Sequence, residues 1–123
     1  MTAPNLIAVT TINGKTSGVS LTTTATTVVL NNAPASGKCL KINTLNVANI
    51  STTATNVTVS WYTNTGLGGT GFAIAGNISV PAGSTLNIVD KSSQYYLEEN
   101  TSLGATASVA NTLVVTTSYE DIS

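Results

Sequence analysis

Asn56-Val57-Thr58-Val59-Ser60-Trp61-Tyr62 alternates polar and apolar side chains without a break. Successive side chains of an extended chain leave on opposite faces. The stretch therefore reads as a strand with Val57, Val59 and Trp61 on one buried face. Branched Val and Thr and aromatic Trp and Tyr suit a pleated, half-buried surface. The same period runs outward in both directions. Leu86 and Ile88 flank Asn87, and Leu113, Val115, Thr117 and Tyr119 alternate with Val114, Thr116 and Ser118. Residues 38–50 also alternate but change phase: Leu40 and Ile42 are even-numbered, Leu45 and Val47 odd. One inserted residue near Thr44 reconciles the two halves and predicts a β-bulge there.

Strands are expected at 6–13, 18–24, 26–31, 38–50, 55–64, 71–80, 84–90, 94–99, 102–109 and 112–121. The second and third read equally as one interrupted strand. The nearest helix candidate, residues 94–100, is too short, and its Tyr95/Leu97 alternation fits a strand. Asn13-Gly14 has the chemistry of a two-residue hairpin turn. Pro81-Ala82-Gly83-Ser84 is expected to carry Pro at the first central turn position. Residues 33–37 read as a loop, and the four glycines of residues 66–71 as the most mobile one.

Eight to ten short strands without a helix predict an all-β fold, a single-domain antiparallel β-sandwich of jelly-roll type. The length of 123 residues fits one domain. Residues 1–16 have the weakest core pattern and read as an N-terminal strand or arm, with residues 17–123 forming the sandwich. The threonine clusters do not recur at a fixed period, so no internal repeat is expected.

Composition excludes several classes of function. Thr, Ser and Asn supply 23, 13 and 13 residues, whereas charged residues are 7%, against roughly 25% in ordinary proteins. There is no His and no Arg, so the commonest proton shuttle and the bidentate phosphate clamp are missing. A net charge of −1 leaves no electrostatic footprint for nucleic acid. Apolar runs are too short to span a bilayer, and no secretory leader is expected from the first residues. A hydrophobic fraction of 41% argues for folding rather than disorder. Low charge leaves little repulsion between copies, so folding within an assembly is expected.

Candidate chemistry is sparse. Gly66-Leu67-Gly68-Gly69-Thr70-Gly71 matches G-x-G-x-x-G, but Phe72-Ala73-Ile74 continues as a strand rather than a helix, so a hairpin loop is expected. Cys39 lies near Lys38 and Lys41 on the more polar face, yet no His base exists for a nucleophile. The pairs Glu98-Glu99 and Glu120-Asp121 point to opposite faces of a strand and form no acid/base dyad. Calcium needs six to eight oxygens, so solvated carboxylates or salt bridges are the simpler reading of Glu98, Glu99 and Asp121. Trp61 belongs to the core face, leaving Tyr62, Tyr95 and Tyr96 as surface aromatics. No catalytic residue, cofactor or metal is expected.

The second half carries a resemblance. Ile78-Ser79-Val80-Pro81-Ala82-Gly83-Ser84-Thr85-Leu86 is followed by Ile88-Val89-Asp90-Lys91, Tyr96-Leu97-Glu98-Glu99, Ser102-Leu103 and the closing Ser118-Tyr119-Glu120-Asp121-Ile122-Ser123. With Ala3-Pro4-Asn5 and residues 10–16, this resembles small virion structural proteins of tailed bacteriophages, those of cyanophages in particular. Asn100-Thr101 stands where that group is expected to have Gly-Asp; Asn still tolerates a left-handed turn. The resemblance implies a particle protein, not which part of the particle. The leading expectation is a capsid decoration or cement protein on the outside of the head, with a tail, neck or baseplate component as the alternative. The expected partners are the major capsid protein, or tail proteins, and further copies of the chain in a homotrimer. Nucleic acid and membrane are not expected as partners. Pro4, Asn5, Leu6, Ile7 and Lys15 of the arm and Tyr119, Glu120, Asp121 and Ile122 of the tail are the candidate assembly contacts.

Overall fold

The computed structural model describes residues 11–90 and 92–123. Nine strands follow in order: β1 Ile12–Leu21, β2 Thr27–Asn32, β3 Cys39–Asn49, β4 Thr55–Asn64, β5 Gly68–Val80, β6 Thr85–Val89, β7 Tyr95–Leu97, β8 Thr101–Ala107 and β9 Leu113–Ile122. A single 3₁₀ turn, Thr65–Leu67, joins β4 to β5.

The strands pair as one long rolled hairpin. β1 pairs β9, β2 pairs β8, β3 pairs β6, and β4 pairs β5, all antiparallel. Rolling that hairpin sets β9 beside β3 and β8 beside β4. Two sheets result, ordered β1-β9-β3-β6, with β7 also on β3, and β2-β8-β4-β5. This is the jelly roll expected from the strand count, with two Greek keys closed face to face.

Period-two patterning sets the core. Cross-strand rows of inward residues run Val19–Val115–Val47–Leu86 on the first sheet and Thr27–Ala105–Val59–Ala75 on the second. Leu45, Val47, Val57, Val59, Ala105 and Val115 are fully enclosed between the sheets. Trp61, expected in the core, packs only partly against it. It stacks on Phe72 of the neighbouring strand at a ring distance of 5.9 Å, at the rim, where Phe72 is exposed.

The bulge is present. Ile42 faces Tyr119 and Thr44 faces Ser118, leaving Asn43 as the extra residue. Its side chain is not idle: it donates to Glu120 Oε2 at 3.0 Å and accepts from Gln94 Nε2 at 2.9 Å. The buried Thr117 hydroxyl donates to Thr44 O at 2.9 Å, so a carbonyl at the irregular step keeps a partner.

Three turn expectations need correction. Asn13-Gly14 is not a hairpin turn. Both residues lie inside β1, opposite Asp121 and Glu120, because ten-residue pairing with β9 outweighs local turn chemistry. β1 also runs through residues 16 and 17 without a break. In the Pro81–Ser84 turn, Ser84 N donates to Pro81 O at 3.1 Å. Pro81 is therefore the first corner residue, and Gly83, at φ +69°, supplies the left-handed position of a type II turn. The glycine-rich segment is tied down rather than free: Asn31 Oδ1 accepts from Thr65 Oγ1 at 2.7 Å and Gly66 N at 2.8 Å, and Leu67 N donates to Ser102 Oγ at 2.9 Å.

Candidate functional site

Two buried amides hold the sheets together. Asn32 closes β2, and its Nδ2 donates to Lys38 O and to Leu97 O on the opposite sheet, both at 2.9 Å. Asn49 closes β3, and its Nδ2 donates to Thr53 O at 2.8 Å and to Val80 O on the opposite sheet at 2.9 Å. Its Oδ1 accepts from Ser51 N and Ser51 Oγ. By polarity alone an asparagine belongs on the surface. The available signal was position, since both asparagines end a strand just before a turn.

At one end of the sandwich the sheets part around a cleft of about 300 Å³. It is lined by Lys15 of β1, Asn31 and Asn32 of β2, Lys38, and Tyr119 and Asp121 of β9. The inward register of β9 carries Asp121 into it, since Asp121 shares a face with Leu113 and Val115. Asp121 Oδ2 lies 3.1 Å from Lys15 Nζ and 3.2 Å from Lys38 Nζ, with the carboxylate only 8% exposed. Burial pushes the Asp121 carboxyl up, but hydrogen bonds and charge from Lys15 and Lys38 outweigh it and hold it below its ordinary 3.8. Lys15 is raised above 10.5, chiefly by its hydrogen bond to Asp121.

The signs give a pH prediction. A carboxyl depressed in the folded state binds fewer protons there than in the unfolded chain. Its contribution is complete above 3.8 and is lost as pH falls through the lower folded value. A raised lysine contributes fully below 10.5 and loses its contribution as pH rises through its folded value. Thermal melts across pH should show a plateau with a fall at each end. Asp121→Asn should lower the plateau and flatten the acid limb.

The tail candidates are largely engaged within the chain. β9 lies between β1 and β3, so both its edges are paired, and Asp121 and Ile122 are buried. Glu120 accepts from Asn43. Tyr119 packs partly against the core. Lys15 keeps nearly half of its side chain exposed. Pro4, Asn5, Leu6 and Ile7 lie outside the described residues. Cys39 is buried, not on a polar face, and its thiol is pushed up by burial and then by Glu98. A reactive thiolate needs the opposite shift. Among the described residues no group of three or more His, Cys, Asp or Glu is placed to hold a metal.

Charge is segregated. β2, β4, β5 and β8 contain no Asp, Glu, Lys or Arg at all. The outer face of this second sheet presents Thr58, Ser60, Tyr62 and Thr106, all partly exposed, while Ser102 and Gly104 between them are buried, Gly104 beneath Leu67, Thr26 and Tyr62. The charges of the described residues lie on β1, β3 and β9, at Lys38 just before β3, and in the connections on either side of β7.

No family model matches the chain. No curated protein matches it in sequence. Among solved structures it is similar to a chain in the structure of infectious bursal disease virus, Gx strain, at 13% identity and a TM-score of 0.32. The alignment covers 89% of this chain and 40% of that one, so this chain spans less than half of that protein's length.

Proposed function

We propose that this chain is a virion structural protein of a tailed bacteriophage, a cement protein that decorates the outside of the head. The observation that carries the reading is the uncharged four-stranded sheet. A solvated surface ordinarily mixes both signs of charge, whereas a neutral polar face can be covered by a protein shell without burying an unpaired charge. The sequence resemblance in the second half points to a particle as that shell. In this reading the outer face of β2, β8, β4 and β5 meets the major capsid protein. Modest single-site affinity is multiplied by many copies on one lattice. Self-association belongs to the proposal; the trimer expected from the sequence is one stoichiometry, and the outer edge of β1, which nothing pairs among the described residues, points to another. No catalytic role is part of it.

The test is copy number on purified particles, by quantitative mass spectrometry against the major capsid protein. Copies on the order of hundreds per particle support decoration; about 3, 6 or 12, the numbers of a ring or spike, place the chain in the tail, neck or baseplate. Absence from particles overturns both. Ser60→Lys puts a charge on the neutral face at a partly exposed position. It should leave melting nearly unchanged and abolish loading onto particles.

A further inference from the structure

Each sheet of an open sandwich ends in strands whose outer backbone groups lack partners, and proteins blunt such edges with bulges, shortness, Lys or Pro. Three of the four edges here are blunted. β5 shifts register against β4 at three places. β2 has six residues and one shift. β6 and β7 have five and three residues. β1 is different: ten residues pair with β9 without one shift. It contains no Pro, and its only Lys is turned into the cleft toward Asp121. Among the described residues nothing pairs with its outer edge.

Hydrogen-bond parity shows which groups face outward. Thr11 and Ser123 exchange both backbone bonds, N to O at 3.0 Å in each direction. Alternation along an antiparallel pair then directs the odd-numbered residues of β1 at β9. The N–H and C=O groups of Ile12, Gly14, Thr16, Gly18 and Ser20 point away from the sheet.

Gly14 and Gly18 belong to this outward set, and the chain itself does not require them. Neither has a positive φ. A Cβ at Gly14 would meet nothing within 4 Å, and one at Gly18 only Val115 O at 4.0 Å. Glycine inside a strand costs stability. It marks places where another backbone comes close. The two glycines are symmetric about Thr16. We propose that β1 pairs with β1 of a second copy, antiparallel, about a two-fold axis through Thr16, joining two first sheets into one.

In that register Thr16 faces Thr16, Gly14 faces Gly18, and Ile12 faces Ser20 of the other copy. All five outward residues exchange bonds, about ten in total. Lys15 faces Ser17, so the strand's one charge meets no like charge. A two-fold contact of this kind is isologous and closes at two copies. It concerns the isolated chain and does not rest on the virion reading.

The experiment uses the full chain in sedimentation equilibrium and thermal melts. The wild type should be a dimer. Thr16→Pro removes an outward N–H that β9 does not use, so melting should stay close to wild type while pairing weakens about 100-fold. Ser17→Pro removes a bond to β9 and should lower the melting temperature sharply. Thr16→Cys should give a disulfide-linked dimer on oxidation, because facing residues of a bonded pair sit within disulfide range. A monomeric or trimeric wild type, a Thr16→Pro variant that dimerises as tightly as the wild type, or a Thr16→Cys variant that does not cross-link would each overturn the pairing.

Discussion

Deleting Asn46 should destabilise the protein by at least about 3 kcal/mol, whereas deleting Asn43 should cost only about 1 kcal/mol. Both deletions remove one asparagine from β3, three positions apart. Asn43 is the bulge residue. Without it Ile42, Leu45 and Val47 still point inward, now as an unbroken alternation, and the losses are its bonds to Gln94 and Glu120. Without Asn46 the strand has two choices. It can keep the bulge, which turns Val47 and Asn49 outward. Or it can close the bulge, which exposes Leu45 and buries Thr44. Each choice empties a fully buried position. Chemical denaturation of the two variants checks the difference, and equal midpoints would contradict the register.

Asn49→Leu should cost about 2–4 kcal/mol, although it places a hydrocarbon of similar size at a buried site. The amide serves Val80 O, Thr53 O, Ser51 N and Ser51 Oγ together. Leucine answers none of them, and Val80 O is left without its donor inside the sandwich. The loss should appear as a lower urea midpoint with an unchanged slope. Asn32→Leu, which strips Leu97 O and Lys38 O of a donor, should behave similarly. The two sites share no partner, so their costs should add in the double variant.

The strands from β3 to β9 and the bulge were legible because both follow from period two. A buried face imposes alternation, and a phase change in that alternation has few causes. What was not legible depends on contacts distant in sequence. Asn13-Gly14 satisfies a turn locally, and only its pairing with Asp121 and Glu120 makes it strand. Asn32 and Asn49 look like surface residues until the opposite sheet supplies carbonyls for them. Asp121 sits on the inward face of β9, yet its role depends on Lys15 and Lys38, which lie 106 and 83 residues away along the chain. The segregation of charge was present in the sequence as four uncharged strands. It becomes a property of one sheet only when the roll places β2, β8, β4 and β5 side by side.

The pairing of β1 with β9 has a consequence in time. Ile12 finds its place opposite Ile122, and Leu21 opposite Leu113, so the first strand described is completed by the last. At a synthesis rate of roughly 5–20 residues per second, β1 waits on the order of 5–20 s for its partner. During that interval Val19 and Leu21 lack their cross-strand neighbours Val115 and Leu113, and the edge that β9 will cover is open. Closure of the first sheet is therefore a late event, dominated by non-local contacts and slow for a chain of this size. A nascent chain arrested before residue 113 should hold β1 accessible to protease, and release of the full chain should protect it.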